Sequence, residues 1–264
     1  MNTRKIELIA GGLLLIIIIG LTVWYMASHP APAADAPGNG VVTDTPQTID
    51  EATDYYTIEA TYPTGLSFPA SSRNDAGAEA EEEMKAWVDG AIAEFKSYAD
   101  ENVAAIADFE ARGEEVPASL SGSMLSIQYE KKAGPRTVTY VFTSASYTGG
   151  AHGIEIPITF TFDSATGSRV ALADLFTEGA PYLERLSSLA RAGLPAMLGD
   201  YLNPDFVEDG TRPVAENFST FYLEGDSLVF LFAPYQVAPY VVGTVKFPLP
   251  LTELADLLDP SYAP

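Results

Sequence analysis

The sequence predicts an α+β fold with mixed, largely antiparallel sheets, one long helix and several shorter ones, preceded by a single transmembrane helix. Three observations carry this. An uncharged run, Leu8 to Met26, precedes an acidic body. One amphipathic helical pattern extends over 76–112. Short strands with period-two alternation then recur, separated by hairpin-like turns and interspersed with helices without strict alternation, which favours α+β over a doubly wound parallel sheet.

The N-terminal run comes first. Nineteen residues rise about 28 Å as a helix, close to the thickness of a bilayer's hydrocarbon core. Arg4 and Lys5 stand just before it, and no Lys or Arg follows until Arg73. The positive-inside rule therefore puts residues 1–7 in the cytoplasm and everything after the anchor at 8–26 outside. A cleaved signal peptide is the competing reading. Its apolar core is usually about 7–15 residues, shorter than this run, and Ala31-Pro32-Ala33, which resembles a cleavage site, lies well beyond it.

Composition narrows the function classes. The chain carries -22 formal charges, and from Ala27 onward 12 basic residues face 35 acidic ones. Such a surface repels nucleic acid and anionic headgroups and attracts cationic partners. There is no Cys, which excludes disulfides, thiol catalysis and Cys-ligated metal. With His29 in the linker, one histidine remains for the body, so no zinc site is expected. No Gly-x-Ser-x-Gly, phosphate loop or HExxH occurs.

Residues 27–54, rich in Pro, Gly and acids, read as an extended linker. The first half of the ectodomain, 55–150, opens with a strand at Tyr55–Tyr62. The long helix follows, with Met84, Trp87, Val88, Phe95, Tyr98 and Ile106 among its apolar positions, Asn74 or Asp75 as cap and Gly113 as stop. Two strands centred on 125–129 and 138–142 flank a turn at 131–135. The second half, 151–258, begins with the clearest strand, Ile154 to Phe162. Its Pro157 marks an edge or bulge. A turn at 163–167, helices at 172–176 and 182–198, strands at 218–223, 228–232 and 241–247, and a short helix at 251–258 complete it, leaving 259–264 as a tail.

Two segments stand out as candidate binding elements. Tyr147-Thr-Gly149-Gly150-Ala-His152-Gly joins two strong strands, and its glycines permit positive φ. His152 is either a general base or ligand, or a turn histidine bonded to backbone. Pro234-Tyr235 and Pro239-Tyr240 hold two tyrosines on stiffened backbone, as exposed anchors or as core. The two segments are expected to lie near each other. No catalytic residue, metal ligand or cofactor is assigned.

These residues also carry a resemblance. YTGGAHG (147–153), FTFD (160–163), LADLF (172–176) and the run ENFSTFYLEGDSLVFLFAPYQVAPYVVG (216–243) resemble the paired extracytoplasmic domains of unknown function found in some bacterial envelope proteins. That pair forms the ectodomain of an anti-sigma factor that is a lysozyme receptor, and it precedes the catalytic domain of a peptidoglycan deacetylase. The resemblance covers about residues 50–258. It implies a membrane-anchored binding module whose ligand is a lysozyme-like basic protein or peptidoglycan. The seven-residue head is too short for a sigma-binding domain and nothing follows Pro264, so neither sigma control nor deacetylation is implied. An envelope glycan hydrolase using His152 or a carboxylate pair is the alternative.

Overall fold

The computed structural model describes residues 42–69, 75–117 and 120–263. The predicted anchor, the cytoplasmic head, His29 and the start of the linker lie outside them. Among the described residues no helix is long and apolar enough to cross a membrane.

The first sheet holds five strands in the order β1-β2-β3-β4-β5: β1 Thr43–Ala52, β2 Tyr56–Ser67, β3 Ser123–Gly134, β4 Thr137–Tyr147 and β5 Ile154–Asp163. Helix α1, Ala76–Ala111, connects β2 to β3, and a helical crossover of this kind lets those two strands run parallel while the other pairs are antiparallel. The stripe Ala76, Ala80, Met84, Val88, Phe95, Ala99 and Ile106 buries against one face of the sheet. Trp87 meets Phe142 and Phe160 edge-on at 5.2 and 6.1 Å, and Phe95 meets Tyr56 at 5.9 Å. Each fully buried apolar side chain of this size contributes roughly 1.5–3 kcal/mol. Tyr98, predicted within the stripe, is 50% exposed.

The second sheet has the order β6-β7-β8: Phe221–Glu224, Ser227–Phe232 and Val245–Pro250. Phe221, Leu223, Phe230, Phe232, Phe247 and Leu249 share one core with Leu186, Ala190, Leu194 and Leu198 of α2, Tyr182–Leu198. A third helix, α3, spans Pro204–Gly210, capped by the Asn203 side chain accepting from the Asp205 N–H. The other face of the second sheet, with Tyr222, Val229 and Leu231, packs on Val141 of the first. The Phe221 N–H donates to Thr159 Oγ1 across this seam at 3.1 Å. The layers therefore run α1, first sheet, second sheet, α2.

Several boundaries differ from the sequence reading. The linker does not extend to residue 54, because 43–52 form β1. Its composition concealed this: β1 is fastened by Asp44, which accepts from Tyr129 Oη, Tyr140 Oη and Lys131 Nζ at 2.8, 3.1 and 2.9 Å, all more than 80 residues away. The division at 150/151 separates strands that belong together, since β5 pairs with β4 throughout and buries Phe160 and Phe162 in the first core. Residues 259–263 are no tail: the Asp259 N–H donates to Leu175 O, and Tyr262 is buried.

The hairpin turn at 131–135 narrows to Pro135-Arg136, because β3 continues to Gly134. Residues 215–218 and 240–242 are single 3₁₀ turns where strands were expected to begin, so β6 and β8 start later. The helix expected over 251–258 is a 3₁₀ turn ending at Leu254. Residues 163–167 do form a turn, with Asp163 Oδ1 accepting from the Ala165 and Thr166 N–H groups. Of the edge or bulge that Pro157 allowed, β5 is an edge strand, but its second half is buried on both faces because the second sheet covers it.

Candidate aromatic binding site

The β4–β5 connection leaves Tyr147 and returns at Ile154. Gly149 and Gly150 turn it at φ 107° and 93°. The Tyr147 hydroxyl donates to Gly150 O at 3.1 Å, which closes the loop on itself. From the helix side, Asn102 Nδ2 donates to Thr148 O at 2.8 Å. Gly153 then passes so close to Ser146 that a Cβ would stand 2.7 Å from the Ser146 carbonyl oxygen. A side chain there is excluded by contact.

The second segment is a different construction. Ala233 to Gln236 form a turn closed by the Gln236 N–H donating to Ala233 O at 3.0 Å. Pro234 stands at its second position and Tyr235, with φ 70°, at its third. This is the type II pattern, whose third position normally takes glycine because φ is positive there. A tyrosine in that well costs of order 1 kcal/mol and persists only where the surroundings enforce it. Gln236 does the enforcing. Its Oε1 accepts from the Ala233 N–H at 3.1 Å, and its Nε2 donates to Gly210 O and Asn217 O at 3.2 and 2.9 Å. Asn217 is likewise engaged: its Nδ2 donates to Asp209 O and Arg212 O.

The two segments meet. The Tyr240 hydroxyl donates to Gly153 O at 2.7 Å, and His152 Nδ1 lies 2.8 Å from the same oxygen. A carbonyl only accepts, so this bond places a proton on Nδ1. The His152 and Tyr240 rings stack at 3.9 Å and 21°, and Tyr235 lies 5.6 Å from Tyr240 at 32°. Tyr235 is 48% exposed and the adjacent Val241 70%. Pro234 is buried, while Pro239 and Tyr240 are half-buried.

All eight sequence-named residues thus fall into one assembly, and His152 takes its backbone-bonded form. Sequence reasoning missed Gln236, Asn102 and Val241. Gln236 and Asn102 act through carbonyls 19 to 46 residues distant, which leave no local signal. Among the described residues no group of three or more His, Asp or Glu converges to hold a metal. A shallow cleft of about 460 Å³ beside the stacked rings of Phe176 and Tyr182 contains none of the named residues.

Comparison with known proteins bears on this assembly. Residues 173–252 match the family model described as "Protein of unknown function (DUF3298)". The matched stretch contains the Pro234–Tyr240 turn and stops short of the 147–153 loop. Over 127 residues, 48% of its length, the chain is 33% identical to the peptidoglycan-N-acetylmuramic acid deacetylase PdaC of Bacillus subtilis (strain 168). It spans 27% of that relative. The crystal structure of a DUF3298 family member from Bacteroides fragilis NCTC 9343 aligns with TM-score 0.63 and 21% identity, covering 85% of this chain and 96% of that one. A likeness at that identity is one of fold.

Proposed function

We propose that the chain is a non-enzymatic binding module of a bacterial cell envelope, held to the membrane by residues 8–26, and that its ligand is peptidoglycan. The observation that carries this is the convergence of His152, Tyr235 and Tyr240 into one partly exposed aromatic surface. Aromatic faces backed by rigid backbone suit the apolar face of a sugar ring, and they lose little entropy on binding. His152 touches a carbonyl and a phenol ring, an arrangement that positions a surface. The similarity to a relative whose name gives peptidoglycan as its substrate supports the ligand class.

Cosedimentation of the full chain with purified insoluble peptidoglycan is the test. Saturable binding that is lost in Tyr235→Ala is expected. Binding unchanged by Tyr235→Ala and Tyr240→Ala would remove the aromatic site from the reading.

A second reading, a basic protein of the lysozyme class as ligand, is favoured by the net charge of -22. Calorimetry with lysozyme separates the two. One-to-one binding that survives physiological salt supports the protein ligand, and heat that vanishes with salt reports only acid meeting base.

A further inference from the structure

The strands at the margins of the two sheets are β1, β5, β6 and β8, and three of these four edges are closed. On β5, Pro157 has no N–H to offer, Arg169 donates to Thr159 O and Thr161 O, and the Val170 N–H donates to Thr161 O. On β8, the Leu251 N–H donates to Asp226 O, so the alternation of the ladder turns Lys246, Pro248 and Pro250 outward, and the two prolines offer no donor. β6 lies against the first sheet, where the Phe221 N–H donates to Thr159 Oγ1 and Phe221 O accepts from Thr161 Oγ1. Natural sheets use such devices to keep further strands from adding.

The fourth edge is β1, and it is open. The Thr53 N–H donates to Tyr56 O at 2.9 Å, which makes that pair a bonded one. Bonded and non-bonded pairs alternate along an antiparallel ladder. Glu51, Ile49 and Gln47 therefore bond to β2, and the backbone of Ala52, Asp50, Thr48 and Pro46 points away from it. Pro46 stands opposite Pro63, two residues that could exchange no bond, which confirms the phase. Among the described residues nothing bonds to these outward backbone groups. Gln47, Thr48 and Asp50 are exposed, and neither β1 nor β2 carries a Lys or Arg to guard the edge.

We infer that β1 is the interface with a second copy of this chain, paired antiparallel to itself across a two-fold axis at Thr48. Thr48 then exchanges both backbone bonds with its own copy, and the Asp50 N–H donates to the carbonyl of the partner's Pro46. In this register Glu51 lies opposite the partner's Thr45, and Ile49 opposite the partner's Gln47. No like charges face each other, whereas a two-fold at Asp50 or at Glu51 would oppose two carboxylates. The five strands of each copy join into one continuous sheet, with both α1 helices on the same face. Each copy has one open edge and a sealed one, so the assembly closes at two copies; opening β5 as well would let it grow further. The surface is separate from the aromatic site, and the inference does not depend on the ligand.

Sedimentation of the full chain in a non-ionic detergent tests this. A concentration-dependent equilibrium between monomer and dimer is expected. Copies that each carry -22 charges repel, so the dimer should tighten as salt rises. Thr48→Pro removes an N–H that β2 does not use, and should weaken the dimer at least about tenfold with the circular dichroism unchanged. Thr48→Asp keeps that N–H but sets two carboxylates face to face at the axis, and should weaken the dimer as well. Thr48→Val, which keeps the backbone groups and adds no charge, should leave it intact. A chain that stays monomeric up to about 100 µM overturns the inference and leaves the edge to a strand of a different partner. A dimer that survives both Thr48→Pro and Thr48→Asp runs through another surface and overturns it too.

Discussion

The imidazole of His152 lies flat against the phenol ring of Tyr240, and both residues donate to the carbonyl oxygen of Gly153. One oxygen with two donors ties a loop of the first sheet to a loop of the second. In Tyr240→Phe the stack is kept and one bond is lost. We expect a cost of about 1 kcal/mol in thermal unfolding. Faster amide exchange in 148–153 and weaker peptidoglycan binding should accompany it. Exchange unchanged in that loop would show that the bond does not hold it.

Tyr235 is held in a backbone well that suits glycine. Tyr235→Gly should therefore raise stability by about 1 kcal/mol while abolishing ligand binding. Opposite signs for stability and affinity are the mark of strain retained for a surface. A loss of both would mean that the ring supports the fold.

Asp44 gathers two phenols and an ammonium at the entrance of β1. Asp44→Ala removes the acceptor these donors share and should cost about 3 kcal/mol. Limited proteolysis should then cut within 43–52. Resistance of that strand would show that its pairing with β2 suffices.

Arg169 closes the exposed edge of β5. Its Nη1 and Nη2 donate to Thr161 O and Thr159 O at 2.9 and 3.2 Å, and its Nε to Glu83 at 3.0 Å. Pro157 stands two residues before Thr159, with no N–H to offer along the same edge. Arg169→Ala should leave the Thr159 carbonyl open to strand addition, while Thr161 O keeps the Val170 N–H, and produce concentration-dependent self-association in sedimentation. Arg169→Lys, lacking the planar fork, should restore little.

Two carboxyls should govern the response to acid in opposite directions. Glu59 is raised from its ordinary value near 4.5, so the folded state disfavours its ionised form. That penalty is present at neutral pH and disappears as pH falls through the ordinary value. Glu59→Gln should thus raise the Tm at pH 7 and leave it unchanged near pH 3. For Asp163 burial alone would raise the value, but the Arg136 guanidinium at 2.7 Å and the bonds from Thr166 and Ala165 outweigh it, and the net direction is down from 3.8. Its contribution is present above 3.8 and is lost as pH falls through the lowered value. Asp163→Asn should destabilise at pH 7, and the difference should vanish in strong acid.

Local pattern determined a good deal of this protein. The three- and four-residue spacing of Met84, Val88 and Phe95 specified α1, because a helix must bury one stripe. The alternation of 154–162 specified a strand and its Pro157 limited that strand to an edge or a bulge, because side chains in a strand alternate and Pro cannot donate to a neighbour; the sheet order decided for the edge. Gly149, Gly150 and the Pro-Tyr pairs marked the two loops that now meet. The tertiary structure decided the rest. β1 was hidden because its hold is polar and remote, through Asp44, and composition reports only local hydrophobicity. The positive φ of Tyr235 depends on Gln236 reaching carbonyls of other segments. The facing of Asp50 and Glu59 exists only through the register of β1 on β2, and pairing across strands is a relation between residues that sequence order does not contain.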